Sequence, residues 1–341
     1  MESNECNDFK SASVIPQING KRIIVAPLCW GLGHASRCVP IINQLLKDGN
    51  TVSVASDGEA LFLLRQEFPS LEYFELPVYD INYKYQSMIF NMAAQGSKIL
   101  KAIKNEKEAA DKIADIWNAD ILISDNRLGF RSQKTKNIYI THQLNIPHPN
   151  KIVSSIANRL HHHFINKYDE CWVPDNVGNQ SLAGKMTQGE LKIKKHFIGV
   201  QSRLIKKEVH EDIDLTIILS GPEPQRTYLE EKLLEKYIHQ DDMKIVLVRG
   251  TEKAAKFHTD LGHITVYGLL TSHDVNDIIN RSKQIICRAG YSSIMDLVVL
   301  DKGAILIPTP GQYEQEYLGE VLDGKFGFKC FGQDGIRLLS L

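Results

Sequence analysis

The feature that most constrains the fold of this 341-residue chain is a rhythm of short apolar runs and helical patterns that occurs twice. In the first half, an apolar run at residues 22–28 stops at a Gly-containing turn, and a helical pattern leads to a second run at residues 51–56. The rhythm restarts after a basic connector at residues 200–211, with an apolar run at residues 215–219. Strands that alternate with helices indicate a parallel sheet covered on both faces. The sequence therefore predicts an α/β chain with two such sheets.

The same patterns predict the remaining elements and the domain bounds. Further strands are expected at residues 71–76, 120–124, 137–141, 168–173, 244–248, 264–267, 284–287 and 304–307. Helices are expected at residues 83–117, 226–238, 274–281, 293–300 and 313–322. We predict a flexible leader at residues 1–20, one Rossmann-like domain at residues 21–205 and another at residues 206–341. Such units bind ligands outside the carboxyl ends of their strands, so the cleft between the facing sheets is the expected site.

Composition narrows the class of protein and its compartment. The chain has 40 basic and 41 acidic residues, which argues against a nucleic-acid partner because such proteins carry a basic footprint. Its 6 cysteines are scattered without a C-x-x-C pair, so neither a disulfide framework nor a zinc site is expected. The polar N-terminus shows no signal peptide, and no apolar run approaches the ~20 residues that span a bilayer. We expect a cytoplasmic protein.

The strongest local signal is the segment at residues 287–293 (CRAGYSS), between a strand and a helix. Helix N-termini present unpaired N–H groups that suit a phosphate, and Gly290, Ser292 and Ser293 lie at this one. Asp296, one turn further on, could accept hydrogen bonds from ribose hydroxyls. The alternative is a capped helix with a surface aspartate.

A second loop of the same kind covers residues 220–226 (SGPEPQR). It begins with Ser220 and Gly221 and ends at Arg226, which could bridge two phosphate oxygens in bidentate fashion. The alternative is a proline-stiffened loop with a solvated arginine at the start of the helix.

A third loop follows the last predicted strand and opens the helix at residues 313–322. Gln312, Gln315 and Glu316 make this opening rich in donors and acceptors. Sugar hydroxyls need such partners, because a buried polar group without one is costly. A solvated helix start is the alternative.

In the first half, the main candidate functional residues are Gly33 and His34. They lie in a partial glycine pattern in which Ser36 replaces the third glycine. His34 could act as a general base or bind phosphate or a second substrate; a structural histidine at the helix start competes with these roles. Two polar segments follow predicted strands and could hold a second substrate, one at residues 125–127 that begins with Asp125 and one at residues 141–143; their main candidates are Asn126, His142 and Gln143.

At these positions the chain resembles the GT-B glycosyltransferases of the MurG family, and the resemblance is best at residues 285–317. Residues 288–293 are similar to the family's Arg-Ser-Gly-Ala-Leu-Thr loop, and Gly33-His34 is similar to its first-domain Gly-His. Arg226 matches the arginine that ends its second-domain glycine loop. The segment at residues 266–270 resembles the one that frames the uracil, which makes Tyr267 and Leu269 candidates for contact with the base.

The resemblance implies a GT-B fold with parallel sheets facing across a cleft, and an inverting hexosyl transfer from a UDP-sugar to an acceptor hydroxyl. The second domain would bind the donor and the first the acceptor. Asp296 would bind ribose, the Gln315-Glu316 pair the sugar, and the loop that begins at Arg288 the diphosphate, with His34 as our candidate base. No obligatory cofactor and no metal are implied, since the UDP-sugar is a co-substrate. The family's glycines at 222–224 are replaced by PEP, which leaves sugar and acceptor unassigned.

Three other readings stay open at the level of sequence: a UDP-sugar 2-epimerase of similar fold, a non-catalytic nucleotide-sugar binding protein and a nicotinamide-dependent dehydrogenase. The incomplete glycine pattern weighs against the last. The acceptor could be a sugar, a lipid-linked molecule or another small molecule. A lipid-linked acceptor would require transient contact with the inner face of the membrane. Residues 87–103 carry apolar residues at helical spacing, which favours core packing over a lipid-facing surface.

Overall fold

The computed structural model describes residues 14–78, 96–221, 223–251, 259–260 and 262–338, and in this part of the chain it contains two α/β units. The first unit has a seven-stranded sheet in the order β3-β2-β1-β4-β5-β6-β7, with every pair parallel. Its strands are Arg22–Pro27 (β1), Thr51–Ser56 (β2), Glu72–Glu75 (β3), Ile121–Asp125 (β4), Lys136–Ile140 (β5), Glu170–Val173 (β6) and Lys194–Phe197 (β7). Its helices are Gly33–Lys47 (α1), Gly58–Glu67 (α2), Gly96–Trp117 (α3) and Lys151–Ile165 (α4).

The second unit also has a seven-stranded sheet, in the order β10-β11-β9-β8-β12-β13-β14, and only the β10–β11 pair is antiparallel. The strands are Ile213–Ile218 (β8), Ile245–Val248 (β9), Thr259–Asp260 (β10), Ile264–Tyr267 (β11), Ser282–Cys287 (β12), Ile305–Leu306 (β13) and Lys329–Cys330 (β14). The helices are Gln225–Tyr237 (α5), Ser272–Asn280 (α6), Tyr291–Val299 (α7) and Tyr313–Leu322 (α8). This is the GT-B arrangement that the sequence predicts.

The central strands are buried on both faces, which explains why they read as continuous apolar runs. Ile23, Ile24 and Val25 of β1 are fully buried between two layers of helices. Side chains from the two faces of the sheet enter two separate apolar clusters, one that includes α1 and one that includes α3. Parallel sheets with helices on both faces need this apolar character on each side.

The predicted strands, including the edge strand β3, are confirmed with small shifts of their ends, whereas the edge strands β7, β10 and β14 were not predicted. β7 and β14 are edge strands, and they are short and carry lysines, as edges that avoid further pairing often do. They give no apolar run to detect. Helix α2 was also not predicted. Of the helix expected at 83–117, the part before residue 96 lies outside the described residues, and α3 covers the rest.

Two further expectations concern the N-terminus and the membrane. Residues 1–13 of the expected leader lie outside the described part of the chain, but Ile15 is buried in the first unit and the Val14 N–H donates to the Ile198 carbonyl at 3.1 Å. No helix within the described ranges is long and apolar enough to cross a bilayer.

Candidate active site between the two sheets

The two units meet where helices α1 and α7 begin. Ser292 Oγ donates to the Gly33 carbonyl at 2.9 Å, and the Tyr291 hydroxyl donates to the Pro174 carbonyl at 2.8 Å. A Cβ atom on Gly33 would lie 2.8 Å from Ser292 Oγ and 3.3 Å from Ser292 Cβ. Glycine therefore allows the two helix starts to approach this closely. Gly33 and Ser292, predicted for opposite sides of the cleft, are in direct contact.

His34 follows Gly33 at the start of α1, and its Nδ1 lies 2.8 Å from Asp125 Oδ1. Asp125 ends β4, which pairs with β1 in a register that sets Pro27 opposite Asp125. The carboxyl ends of the two strands coincide, so the sheet itself brings the carboxylate to the first turn of α1. Burial lowers the pKa of His34 below its ordinary 6.5, and the effect of Arg37 adds to this while Asp125 opposes it. His34 is therefore a neutral imidazole at neutral pH.

Arg37 shares Asp125 with His34. It lies one turn after His34 on α1 and is almost wholly buried. Its Nε donates to Asp125 Oδ2 at 2.5 Å, a second guanidinium nitrogen contacts Oδ1, and its Nη1 lies 3.0 Å from His142 Nδ1. Burial opposes ionisation of Asp125, but the charge of Arg37 and the contact with His34 outweigh it and hold the pKa of Asp125 well below its ordinary value. Asp125 is thus an ionised carboxylate with two partners.

The second unit reaches into this cluster through Glu314 of α8. Glu314 Oε1 lies 2.8 Å from His142 Nε2, and its other oxygen accepts from the amide of Gln143. The His142 ring also stacks on Tyr291 of α7, with centroids 4.2 Å apart and planes 12° apart. Two residues that sequence assigned to the acceptor are thus held by contacts from the opposite unit.

Three loops of the second unit converge on Arg288, which is fully buried. Its Nη2 donates to the Gln225 carbonyl at 2.6 Å, and its Nη1 lies 3.3 Å from the carbonyls of both Ile307 and Pro308. These carbonyls lie in the segments that follow β8 and β13, whereas Arg288 follows β12. Burial lowers the pKa of Arg288 to about 10, so it stays a cation at neutral pH. Arg288 therefore ties together the loops predicted to bind the donor.

Next to Arg288 lies a group of buried polar atoms without a hydrogen-bond partner in the described part of the chain: Thr309 Oγ1, Gln312 Oε1 and Arg288 Nε. Gly221, in the left-handed region at φ 94°, would place a Cβ only 3.8 Å from Thr309 Oγ1. A buried polar atom without a partner is costly. A polar ligand that reached these atoms would satisfy them.

Gln315 and Glu316 bond to the backbone of the loop that precedes them. Gln315 Oε1 accepts from the Thr309 N–H at 2.8 Å, and Glu316 Oε1 accepts from the Gly311 N–H at 2.8 Å. Both side chains shape the loop at the start of α8. Contact with a sugar would require them to exchange or share these bonds.

Two residues predicted to bind the donor, Arg226 and Asp296, form hydrogen bonds with other residues of the protein. Arg226 donates to Glu223 Oε1 through two nitrogens, at 2.9 and 2.6 Å. Asp296 accepts from Ser202 Oγ at 2.5 Å and from the Arg203 N–H, so it faces the segment that connects the two units. Burial raises the pKa of Asp296 to about 6.

The remaining predicted residues lie at strand ends, in loops or at the start of α7, and their contacts assign no role. Asn126, at φ 57°, accepts from the Tyr139 hydroxyl at 3.3 Å. The Tyr267 carbonyl, at the end of β11, accepts from the Arg249 N–H at 2.9 Å. Three others are half-buried in loops or at a helix start, namely Ser220, Leu269 and Ser293, and Gly290 precedes α7.

Sequence reasoning assigned no role to Arg37 or Glu314, and it named Asp125 only within a segment that could hold the acceptor. The spacing of three between His34 and Arg37 places both on one face of a helix, so the arginine could have been found once the helix was predicted. Asp125 directly follows a predicted strand, and this position was its only signal. Glu314 lies beside the predicted Gln315, but no sequence pattern says that it crosses the cleft. No group of three metal-ligating side chains occurs among the residues that the structure describes, and metal-free transfer stays a prediction.

Comparison with known proteins gives a family match in the second unit and fold matches over the chain. Residues 225–323 match the glycosyltransferase family 28 C-terminal domain. The glycosyltransferase SsfS6 of Streptomyces sp. SF2575, solved with thymidine diphosphate, is 12% identical over 93% of this chain and 89% of its own, with a TM-score of 0.59. MurG of Acinetobacter baumannii is 16% identical over 94% and 89%, with a TM-score of 0.51.

A putative UDP-N-acetylglucosamine 2-epimerase of Listeria monocytogenes is 11% identical over 90% of this chain and 88% of its own, with a TM-score of 0.55. At such identities these structures share the fold and nothing more. No curated protein sequence matches the chain.

The chain thus has the GT-B fold, which it shares with glycosyltransferases that include MurG, and its second unit matches the glycosyltransferase family 28 C-terminal domain.

Proposed function

We propose that the chain transfers a hexose-type sugar from UDP to an acceptor hydroxyl, with inversion at the anomeric carbon. The observation that carries the proposal is the His34–Asp125 pair, 2.8 Å apart at the carboxyl edge of the first sheet and directly beside the start of α7. A neutral histidine held by an ionised carboxylate is the arrangement that a general base needs.

In this proposal, the Nδ1–H group of His34 donates a hydrogen bond to Asp125, which leaves Nε2 as the basic atom. Nε2 takes the proton of the acceptor hydroxyl as the acceptor oxygen bonds to the anomeric carbon and the diphosphate leaves from the opposite face. Asp125 then stabilises the imidazolium. Arg37 supports the step because it keeps Asp125 ionised and fixed.

On the donor side, the diphosphate would lie at the start of α7, with Gly290, Ser292 and Ser293, where the helix dipole and free N–H groups favour an anion. Arg226 would exchange Glu223 for a phosphate oxygen, since its present bonds form an exposed pair at a spacing of three. The buried atoms of Gln312 and Thr309 would bond the sugar hydroxyls, with Gln315 and Glu316 holding the loop.

The nucleoside would lie between Tyr267, Leu269 and Asp296 in this scheme. The choice of uridine rests on the sequence resemblance at residues 266–270, and SsfS6 was solved with thymidine diphosphate instead. A thermal-shift panel of uridine, thymidine, adenosine and guanosine diphosphates tests the choice. A ligand at 100 times its Kd stabilises the folded state by about 2.7 kcal/mol, which such a panel detects. Equal or absent shifts for all four would contradict the proposed donor.

The second candidate is a UDP-sugar 2-epimerase, favoured by one observation, the shared fold with the Listeria monocytogenes protein. The family 28 domain at residues 225–323 supports transfer instead. The two differ in their need for an acceptor: an epimerase changes the sugar while it stays on UDP. Proton NMR of UDP-N-acetylglucosamine incubated with the chain alone separates them, since inversion at C2, in the UDP-sugar or in released sugar, would exclude our proposal and release of UDP with a sugar unchanged at C2 would support it.

A further inference from the structure

One carboxylate of the second unit lies among polar side chains of the first. Glu314, in the first turn of α8, has a side chain that is only 20% exposed, and it contacts both His142 and Gln143 across the cleft. Burial opposes ionisation of Glu314, but the contact with His142 outweighs it and holds the pKa of Glu314 below its ordinary value. Glu314 therefore brings a negative charge from α8 to the strand ends of the first unit.

The two ring nitrogens of His142 have partners of opposite kind. Nδ1 lies 3.0 Å from Arg37 Nη1, and Nε2 lies 2.8 Å from Glu314 Oε1. A guanidinium only donates and an ionised carboxylate only accepts, so His142 is a neutral imidazole that accepts at Nδ1 and donates its Nε2–H to Glu314. Stacking on Tyr291 fixes the plane of the ring but allows it to turn within that plane. The bond to Glu314 is therefore what keeps Nδ1 directed at Arg37.

The orientation of Arg37 determines which partner the His34 ring meets. Arg37 Nε and Nη2 both face the Asp125 carboxylate, and Nη1 is held by His142. Nη2 also lies 2.8 Å from His34 Nδ1, which is equally close to Asp125 Oδ1. A guanidinium turned away from Asp125 would donate to Nδ1, and the ring proton of His34 would then lie on Nε2. The proposed base needs the other tautomer, so it depends on an Arg37 that stays turned toward Asp125.

We infer that Glu314 is a positioning residue for the base and that it acts from the opposite unit. It anchors His142, whose Nδ1 in turn holds the remaining corner of the Arg37 guanidinium. Arg37 then leaves Asp125 to accept from the Nδ1–H of His34. Since Glu314 belongs to α8, these contacts are complete only while the second unit lies against the first, which couples proton acceptance to the meeting of the two units. The catalytic role rests on the proposed function, whereas the contacts and the tautomers do not.

Nitrogen-15 NMR of the histidine rings at neutral pH tests the tautomers directly. In the unaltered chain, the His34 signals, assigned with a His34→Gln variant, should show a protonated Nδ1 and an unprotonated Nε2. Glu314→Ala should reverse or mix this pattern, whereas Glu314→Gln, whose amide oxygen still accepts from His142, should largely keep it. An unchanged pattern in Glu314→Ala would overturn the inference. So would a His34 proton on Nε2 in the unaltered chain.

The kinetic readout is UDP release from UDP-N-acetylglucosamine, with water as the acceptor. Glu314→Ala should lower kcat about 10–100-fold, the usual effect of losing a partner that orients a metal-binding histidine, and should change the donor KM by no more than about twofold. Glu314→Gln should recover most of kcat. Glu320→Ala is the matched control and should change neither value, because Glu320 is exposed on the same helix. A raised donor KM with unchanged kcat would mean that Glu314 contacts the donor and would overturn the inference.

A double-mutant cycle tests the route through His142. Glu314→Ala combined with His142→Ala should lower kcat no further than His142→Ala alone, because Glu314 acts through that ring. Additive losses would overturn the inference. Circular dichroism of each variant verifies folding, and Glu314→Leu, which fills the space without an acceptor, serves if Glu314→Ala does not fold. A changed His34 tautomer in Glu314→Ala, with no UDP release by the unaltered chain, would leave the positioning intact and count against the proposed function alone.

Discussion

The two sides of the cleft are built from the same kind of βα junction but use opposite electrostatics. On the first unit, the strand ends carry a charged cluster of His34, Arg37, Asp125 and His142, in which one buried carboxylate serves two cationic or basic partners. On the second unit, the buried cation Arg288 bonds only to backbone carbonyls within the part of the chain that the structure describes. Around it lie neutral polar atoms without partners among the described residues.

This difference suggests a division of labour. Paired charges fix the protonation of a side chain, which proton transfer needs. Neutral donors, helix starts and an arginine held by carbonyls leave positive potential available for an anion. Both sides have the same βα scaffold, and they differ in the residues at their strand ends, which suit the proposed roles of proton transfer on one side and phosphate binding on the other.

The largest expected effect tests the charged side. His34→Ala should lower turnover by about 10²–10⁴-fold, the usual contribution of a general base, and should leave donor affinity nearly unchanged. His273→Ala is the matched control, because that side chain is 82% exposed on α6. Steady-state kinetics measure turnover, and calorimetry measures donor affinity. A collapse of donor affinity with unchanged turnover at saturation would remove His34 from the role of base.

Substitutions at the two buried arginine sites should lower the free energy of unfolding by different amounts, with the larger loss on the charged side of the cleft. Asp125→Ala leaves the Arg37 charge buried and unpaired, so the free energy of unfolding should fall by about 3–5 kcal/mol. Arg288→Met removes the charge itself and leaves only carbonyls without donors, which should cost about 1–3 kcal/mol. Lys134→Met, which breaks an exposed pair with Asp115, is the control and should cost under about 1 kcal/mol. Urea titrations give the three values; a larger loss for Arg288→Met would contradict the proposed contrast.

The contact between the two sides can be tested on its own. Gly33→Ala places a Cβ within 2.8 Å of Ser292 Oγ and should destabilise the closed arrangement by about 1–3 kcal/mol. Adding Ser292→Gly removes both contacting atoms and should restore part of that loss. A double-mutant cycle on unfolding and on donor binding measures the coupling. Strictly additive effects would mean that the helix starts do not meet in solution.

The smallest expected effect concerns Asp296, whose pKa burial raises to about 6. The folded chain binds this proton more tightly than the unfolded chain, so the contribution to stability is complete below pH ~4 and is lost as pH rises through about 6. Between pH 5 and pH 7 the loss should be about 1 kcal/mol. Asp296→Asn should flatten that part of the stability profile and, if the residue binds ribose, weaken nucleotide binding. An unchanged profile would show that Asp296 titrates normally.

The fold was predictable because each central strand is an apolar run long enough to stand out, as at Ile23–Val25. The site was predictable only as far as chain position determines it. His34 and Ser292 follow strands, and parallel sheets collect such residues at one edge. Arg226 shows the limit: sequence suggested a phosphate ligand, whereas Glu223, three residues earlier, holds it in the structure.

The contacts that depend on pairing between distant segments could not be read from the sequence. The bond between His142 and Glu314 joins residues 172 positions apart, and it depends on how the two units face each other. The same holds for Asp296 and the connector residue Ser202. Propensity and periodicity describe each unit alone, so they carry no information on the facing geometry.

The meeting of α1 and α7 has one more consequence. Two helices that start against each other bring the positive ends of two backbone dipoles to the same place, and like poles repel. The bond from Ser292 to the Gly33 carbonyl works against that repulsion. An anion between the two poles would reverse the sign of the interaction and draw the lobes together, so departure of a bound anion would also loosen the contact that holds the two halves together.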